Sequence, residues 1–164
     1  MEFIIEEMKP SDWEEVAKIY LEGIKTKIAT FENEVPAWEK WDAGHCKTCR
    51  IIARSAGRVL GWAALSPTSD RCVYAGVAEI SIYVGGQYKS SGVGTALMME
   101  LIRRSEEEGF WTLQSGIIKE NESSRALHRK CGFREVGIRE RLGQMDNGKW
   151  HDVVLMERRS KTVG

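Results

Sequence analysis

A strand, a glycine-bearing loop and a helix follow one another in the middle of the chain, and this succession constrains the fold more than any other feature. Polar and apolar residues alternate from Val77 to Val84, which is the period of a half-buried strand. From Val93 onward the apolar residues recur three and four positions apart, which is the period of an amphipathic helix, and Gly109 ends that pattern. A strand that leads through a loop into a helix is typical of an α/β fold.

The remaining segments add further strands and helices to this unit. Strands are predicted at residues 3–5, 51–53, 59–65, 113–118, 133–142 and 150–156, and helices at residues 11–23, 38–49 and 121–130. The turn of the last hairpin is predicted at Asp146-Asn147-Gly148. The order is strand, two helices, three strands, helix, strand, helix and two strands. We expect an α/β domain over residues 1–164, with a mixed central sheet of about seven strands and helices on both faces.

Charge and hydropathy argue against several classes of protein. The chain has 24 basic and 24 acidic side chains and a formal net charge of zero, whereas proteins that bind nucleic acids or membrane surfaces usually carry a basic stripe. No apolar run is long enough to span a bilayer, and the first residues lack the basic and apolar segments of a signal peptide. We therefore expect a cytoplasmic protein with no nucleic-acid partner and no membrane partner.

The cysteines do not predict a metal site. His45, Cys46 and Cys49 have the spacing of half a zinc knuckle, but a structural zinc site needs four ligands and no second close pair exists. Cys72 and Cys131 stand alone. We expect no metal ion, and we expect Cys46 and Cys49 to be reduced thiols on a helix.

The loop from Gln87 to Thr95 is a candidate phosphate-binding loop because it presents unpaired backbone N–H groups at the positive end of a helix. The nucleoside-triphosphate motif requires a glycine, four residues and then Gly-Lys-Ser/Thr, which this loop lacks. The dinucleotide fingerprint requires a third glycine where Leu97 stands. By themselves, Gly92 and Gly94 are equally compatible with a plain strand-to-helix turn.

Two motifs make the loop more specific. Lys89, Gly92 and Gly94 match the pattern Arg/Gln-x-x-Gly-x-Gly/Ala, and residues 121–133 match a second pattern of Asn, Ala-Leu-Tyr/His and Gly-Phe. With these motifs the sequence resembles the GNAT superfamily of acetyl-CoA-dependent N-acetyltransferases over nearly its whole length. Segments 29–32, 61–63, 65–67, 79–84 and 150–156 narrow the resemblance to the phosphinothricin and methionine sulfoximine acetyltransferase group.

The resemblance implies acetyl-CoA as the cofactor. It implies that the fourth strand splays from the fifth and that the Val84 N–H hydrogen-bonds the thioester oxygen, which in comparable oxyanion sites is worth about 3 kcal/mol. Asn121 is expected to contact the pantetheine arm, to cap its helix, or both. The cofactor-binding residues implied in this way are Ile82, Val84, Lys89, Ser90, Ser91, Gly92, Val93, Gly94, Thr95, Asn121 and Ser124.

Two residues of the loop depart from the family pattern. Lys89 stands where Arg or Gln is usual, and it keeps a cation near the pyrophosphate without the planar fork of arginine. Ser90 stands where glycine is usual. A serine is harmless there if its φ is negative and costly if its φ is positive.

The resemblance also implies two catalytic residues. Glu79 is the predicted general base, acting directly or through water, because its apolar neighbours would raise its proton affinity on burial. The alternative is a solvated glutamate on the face of a strand. His128 stands where many superfamily members have a tyrosine that protonates the departing sulfur, and its ordinary pKa suits proton transfer. The alternative is a capped histidine on a helix face.

The implied substrate-binding residues are Phe31, Arg71, Tyr74 and Glu79. Arg71 can bind a substrate carboxylate through two hydrogen bonds, although it is equally compatible with a solvated surface arginine. We expect direct attack by the amine of a small amino-acid analogue, such as phosphinothricin, methionine sulfoximine or methionine sulfone. Another small amine, or a catalytically silent acyl-CoA sensor, remains an alternative. The resembling enzymes are homodimers, so we expect a homodimer with His151 and the final hairpin at its interface.

Overall fold

The computed structural model describes residues 1–164, and its centre is one seven-stranded sheet. The strands are β1 (Ile4–Glu7), β2 (Ile51–Ser55), β3 (Arg58–Pro67), β4 (Val77–Val84), β5 (Thr112–Ile118), β6 (Arg134–Gln144) and β7 (Trp150–Arg159). The helices are α1 (Trp13–Lys25), α2 (Trp38–Gly44), α3 (Val93–Glu107) and α4 (Glu122–Lys130). The strand order is β1-β2-β3-β4-β5-β7-β6, and only β4 and β5 are parallel neighbours. The predicted mixed sheet of about seven strands is confirmed.

Helices cover both faces of the sheet, so successive residues of β3 pack into different cores. Trp62 and Ala64 belong to a core shared with α1 and α2, whereas Ala63 and Leu65 belong to a larger core shared with α3. The apolar stripe of α3 lies in the larger core: Val93, Leu97, Met98, Leu101 and Ile102. No helix of the structure combines the length and the apolarity needed to cross a membrane.

Helix α1 approaches β4 closely at a glycine. A Cβ atom on Gly23 would lie 2.7 Å from ring carbons of Tyr83, so the missing side chain makes room for that ring. Tyr83 stacks on Trp62 with 5.0 Å between ring centroids, and Tyr20 of α1 lies at the same distance from Tyr83. This packing places α1, and the segment that follows it, beside the second half of β4.

Helix α2 ends before the predicted residue 49, and Cys46 and Cys49 lie in the irregular segment after it. The expectation that these thiols sit on a helix is therefore wrong; all four cysteines are free thiols. Arg50 is the reason, because its guanidinium satisfies carbonyl groups that a longer helix would pair internally. It donates to the carbonyl oxygens of Asp42, His45 and Cys46 at 2.9, 3.3 and 2.7 Å.

Strands β4 and β5 diverge after a short parallel ladder. Their pairing ends at Glu79, which lies opposite Gln114. Beyond this pair β4 stays in register with β3 as far as Val84, which lies opposite Gly61. The predicted splay between the fourth and fifth strands is therefore present, and it opens a cleft in the middle of the sheet.

Strand β6 forms one edge of the sheet and pairs with β7 alone. After the Arg139–Val153 pair the register shifts, so that residues 140–142 of β6 oppose Asp152 of β7. Arg141 has a φ of 46° at this bulge. Its N–H donates to the Asp152 carboxylate over 2.8 Å. The bulge interrupts the pairing just beyond Arg139, and the pairing resumes at Gly143 and His151.

Candidate active site

Two adjoining cavities open along the second half of β4, where β5 has diverged. The larger cavity has a volume of about 530 Å³, and Glu79 lies in its wall. The smaller cavity has a volume of about 440 Å³, and the loop before α3 lies in its wall. The residues that line both are Ala29, Ile82, Tyr83, Asn121 and Ser124. A molecule longer than either cavity can therefore extend from one into the other along β4.

The loop that leads into α3 forms one wall of the smaller cavity. The residues of this loop that line the cavity are Tyr88, Lys89, Ser90, Gly92, Gly94 and Thr95. Gly92 precedes the first residue of the 15-residue helix and has a φ of 88°, and the first N–H groups of such a helix lack intrahelical partners. Ser91 and Val93 do not line the cavity. The Ser91 hydroxyl donates to the Tyr88 carbonyl, and the Val93 side chain is fully buried in the core.

Ser90 has the left-handed backbone that favours glycine, with a φ of 64°. Of the two outcomes expected for this departure from the family pattern, the structure shows the costly one. An L side chain in this conformation costs roughly 1 kcal/mol relative to glycine. The neighbouring Lys89 has an ordinary φ of −65°. The loop therefore keeps its shape at some expense of stability.

Two backbone N–H groups of β4 are directed into the cleft. The Gly85 N–H donates to the Leu60 carbonyl of β3 over 2.8 Å. Because successive residues of a strand direct their backbone groups to opposite edges, the N–H groups of Ile82 and Val84 are directed away from β3. The strand on that side is β5, and its pairing with β4 has ended at Glu79. These N–H groups are thus available to a ligand.

The carboxylate of Glu79 is exposed to the larger cavity at the point where the cleft begins. Partial burial in the cavity wall raises the pKa of this carboxyl above its ordinary value, whereas the positive charge of Arg139 opposes this shift. A raised pKa means that the carboxylate binds a proton more strongly than the carboxylate of an ordinary exposed glutamate does. The environment therefore suits a group that accepts a proton.

His128 is almost completely buried, with 1% of its surface exposed, and it lines the larger cavity. Its Nδ1 lies 2.7 Å from the Ser124 carbonyl oxygen. Because a carbonyl oxygen only accepts, Nδ1 carries the proton and Nε2 carries a lone pair, which has no partner within the chain. Burial lowers the pKa of His128, and the Ser124 carbonyl opposes this shift. The ring is therefore neutral at pH 7, and its acceptor nitrogen Nε2 is buried.

Asn121 caps α4 and also lines both cavities. Its Oδ1 accepts from the backbone N–H of Ser124 at 3.3 Å and from the hydroxyl of Ser123 at 3.2 Å. The side-chain amide nitrogen makes neither contact. Ser124 lies one helical turn before His128 on the same helix, so α4 presents all of these residues along the cleft.

Phe31 lines the larger cavity and packs on the final hairpin. A Cβ atom on Gly143 would lie 2.7 Å from the Phe31 ring, which therefore rests on the bare backbone there. The His151 ring meets Phe31 edge-on, with 6.3 Å between centroids, and its Nδ1 lies 3.0 Å from the Glu120 carboxylate. His151 is buried within the chain, so the prediction that this residue lies at a dimer interface is wrong.

Arg71 and Tyr74 lie outside both cavities. They belong to the exposed segment before β4, in which Cys72–Tyr74 forms a 3-10 turn. The Arg71 guanidinium carbon lies 5.5 Å from the centroid of the Tyr74 ring, so the two side chains contact each other. The structure does not bring this pair to Glu79 and Phe31, and its role in substrate binding stays a prediction.

Sequence reasoning missed Tyr20, Gln114 and Arg139, which also line the larger cavity. Tyr20 fits the core spacing of α1, and nothing in that spacing distinguishes a cavity wall from a core. Gln114 faces Glu79 across the parallel ladder, a pairing that becomes evident only once the register is known. Arg139 lies on the edge strand, and no motif links it to the centre of the sheet.

Comparison with known proteins identifies the family. Residues 12–133 match the Acetyltransferase (GNAT) family. The chain belongs to this family. The acetyltransferase is 29% identical to the phosphinothricin N-acetyltransferase of Alcaligenes faecalis over 157 residues, which cover 92% of this chain and 79% of that protein. It is 28% identical to the L-methionine sulfoximine/L-methionine sulfone acetyltransferase of Pseudomonas aeruginosa over 149 residues, which cover 87% of this chain and 86% of that protein.

A solved structure supports the same assignment. The phosphinothricin acetyltransferase of Sinorhizobium meliloti, crystallised in complex with AcCoA, superimposes on the acetyltransferase with a TM-score of 0.86 at 28% identity. The match covers 97% of this chain and 89% of that chain. The predicted family, fold and enzyme class are confirmed: the protein is an N-acetyltransferase, and acetyl-CoA is its co-substrate.

Proposed function

We propose that this acetyltransferase acetylates the amine of a small amino acid or analogue of the phosphinothricin, methionine sulfoximine or methionine sulfone type. The observation that carries the proposal is the placement of Glu79 in a cavity of about 530 Å³, a size suited to a small molecule. This cavity adjoins a second one at the start of α3 along the open edge of β4. The substrates named for the relatives in Alcaligenes faecalis and Pseudomonas aeruginosa support the same class.

The smaller cavity suits acetyl-CoA, which supplies the activated acetyl group when it is bound. Lys89 and the first N–H groups of α3 would bind its pyrophosphate, because a helix N-terminus favours anions. Asn121 and Ser124 would contact the pantetheine arm, since both line the junction of the two cavities. The N–H groups of Ile82 and Val84 face the same cleft, and we assign the Val84 N–H to the thioester oxygen.

Transfer of the acetyl group needs a group that accepts a proton and a hydrogen-bond donor that stabilises the oxyanion. We assign these roles to Glu79 and to the Val84 N–H. The ionised Glu79 takes one proton from the substrate ammonium, directly or through water. The amine nitrogen forms a bond to the acetyl carbon while the carbon–sulfur bond breaks, and the Val84 N–H stabilises the charge on the oxygen. The attacking nitrogen loses its second proton to solvent, and the thiolate takes one proton from solvent. The products are the N-acetylated amine, the free thiol of coenzyme A and, after Glu79 releases its proton, one proton in solution.

The surroundings of His128 suit a positioning residue better than the acid that the resemblance implies. Its Nδ1 proton is held by the Ser124 carbonyl, so the free Nε2 carries no proton to give to sulfur. Burial lowers its pKa and thereby disfavours the doubly protonated ring that an acid would need. We assign His128 a positioning role, in which its buried ring holds the Ser124 carbonyl and so fixes the turn of α4 that lines the cleft.

A thiol-release assay with acetyl-CoA and a panel of amines tests the proposal. The panel contains phosphinothricin, methionine sulfoximine, methionine sulfone, the common amino acids, a polyamine and an aminoglycoside. Turnover on one of the first three, with a higher kcat/KM than on the last two, is the expected result. Turnover only on the polyamine or the aminoglycoside would overturn the substrate class. Coenzyme A binding without turnover on any amine would favour an acyl-CoA sensor.

We further propose that the acetyltransferase is a homodimer that uses β6. This edge strand is solvent-exposed along nearly all of its 11 residues. Large apolar side chains on the β6–β7 hairpin are exposed: Val136, Ile138, Leu142 and Trp150. A long edge strand with exposed apolar residues is a template for another strand, which natural proteins usually cover. A second copy of this chain presents the same strand and can pair with it about a two-fold axis.

A further inference from the structure

We propose that Arg139 recognises an anionic group of the substrate, a function that rests on the proposed amino-acid acetyltransferase activity. Its position in the sheet is the first argument. Paired residues of neighbouring strands project to the same face. Register links Ile118 of β5 to Val153 of β7, and Val153 to Arg139 of β6. Register also links Glu79 of β4 to Gln114 of β5. Gln114 and Ile118 are four residues apart on β5, so both project to the same face. Glu79 and Arg139 therefore lie on one face of the sheet.

The sheet between Glu79 and Arg139 carries few side chains because two positions of the intervening row are glycines. Gly116 of β5, Leu155 of β7 and Gly137 of β6 form one row across the sheet on this face. A Cβ atom on Gly137 would meet nothing within 4 Å. The row therefore contributes one side chain, and its members Gly116 and Leu155 line the same cavity as Glu79 and Arg139.

Arg139 is the only arginine or lysine that lines the larger cavity, and it forms no ion pair within the chain. Other arginines of the hairpin are engaged elsewhere. Arg134 binds Glu157, and the guanidinium carbon of Arg141 lies 5.4 Å from the centroid of the Trp150 ring. An unpaired guanidinium in a cavity wall offers a planar fork to a carboxylate or phosphinate.

The charges of the cavity match a zwitterion. Its ionisable wall residues besides the neutral His128 and the tyrosines are Glu32, Glu79 and Arg139. The ammonium of an amino acid belongs with the carboxylates, and its anionic group belongs with the guanidinium. The charge of Arg139 already acts on Glu79 across the cavity, as the pKa of Glu79 reflects. A small amine without an anionic group would leave Arg139 without a partner.

Steady-state kinetics of Arg139→Gln, with acetyl-CoA saturating, test this role. With methionine sulfone or phosphinothricin we expect KM to rise roughly 10- to 100-fold while the KM for acetyl-CoA stays unchanged, since hydrogen bonds to charged groups contribute on that scale. The KM of Arg139→Lys for the amine should lie between those of the wild type and Arg139→Gln, because lysine keeps the charge without the planar fork of arginine. Arg134→Gln is the matched control on the same strand. Arg71→Gln tests the rival arginine, and thermal unfolding shows whether each variant folds.

The substrate arms identify the anion. If Arg139 binds the α-carboxylate, the carboxamide of methionine sulfone should be a poor substrate for the wild type, and Arg139→Gln should not impair it further. If it binds the side-chain phosphinate, the variant should lose phosphinothricin but keep methionine sulfone. An equal loss on the acids and the carboxamide, or a KM effect with Arg71→Gln alone, would overturn the role of Arg139 and leave the proposed function intact. Failure of the wild type on every amino acid would overturn both.

Discussion

Glu79 combines access to the larger cavity with a pKa that partial burial raises. Replacement by glutamine keeps the shape of the side chain and removes its ability to accept a proton. We expect Glu79→Gln to lower kcat by roughly 10²- to 10⁴-fold. The affinity for coenzyme A should not change, because the residue lies outside the smaller cavity. The thiol-release assay measures kcat, and a titration with coenzyme A measures the affinity. An unchanged rate at every pH would show that Glu79 is not the base.

The charge of Arg139 allows a second test of Glu79 as the base, because the structure fixes the direction in which Arg139 shifts the pKa of Glu79. A base is active when ionised, so kcat/KM falls as the pH drops through the pKa of Glu79 in the free enzyme. Arg139 lowers that pKa, and removing its charge must raise it. We expect the acid limb of the kcat/KM profile to move to higher pH in Arg139→Gln and to stay in place in Arg134→Gln. A limb that moves to lower pH in Arg139→Gln would contradict the assignment.

Ser90 shows how one residue can hold a loop in a strained shape. Its φ of 64° suits glycine, and a β-branched residue there is worse than serine. We expect Ser90→Gly to match or exceed the wild type in free energy of unfolding, by up to about 1 kcal/mol, and Ser90→Thr to fall about 1 kcal/mol below it. Thr keeps the hydroxyl and changes only the branching, so urea unfolding of the pair isolates the backbone. Equal stability of Ser90→Thr and wild type would contradict the strain.

At the scale of elements, the start of α3 is the proposed phosphate site, and Gly94 tests it with charge alone. A Cβ atom there would lie 3.4 Å from Leu127, an ordinary contact, so a small side chain fits. Asp and Asn have nearly the same shape, and only Asp places a negative charge at the helix start. We expect coenzyme A to bind Gly94→Asp roughly 2- to 30-fold more weakly than Gly94→Asn, with the difference shrinking at high salt. Equal affinities in calorimetric titrations would overturn the phosphate site.

The elements also show where sequence patterns suffice and where they do not. Periodicity alone locates β4 and α3, because each buries one face at its own spacing. Glu79 and Asn121, which the motifs single out, line the larger cavity. The sequence pattern predicts a longer α2 than the structure shows, because the contacts that end this helix come from Arg50, beyond its own residues. Arg139 reaches the cavity through the register of three strands, which no local pattern contains.

At the scale of the whole molecule, the cleft and the exposed edge are consequences of one strand order. Because β7 inserts between β5 and β6, the final hairpin extends the half of the sheet that diverges from β4. The same hairpin carries Leu142 in the wall of the larger cavity and Ile138 on the exposed edge. A second subunit that pairs with β6 would therefore stiffen one wall of the substrate cavity as well as cover apolar surface.

The two edges of the sheet provide a matched test of the dimer. Ile138 of β6 and Ile4 of β1 are isoleucines on opposite edge strands, 52% and 59% exposed. A glutamate on a strand that pairs with its own copy brings like charges together and buries one beside apolar neighbours. We expect Ile138→Glu to sediment as a monomer with a raised KM for the amine, and Ile4→Glu to keep the dimer and its kinetics. A monomeric wild type, or dissociation caused by Ile4→Glu instead, would rule out β6 as the interface.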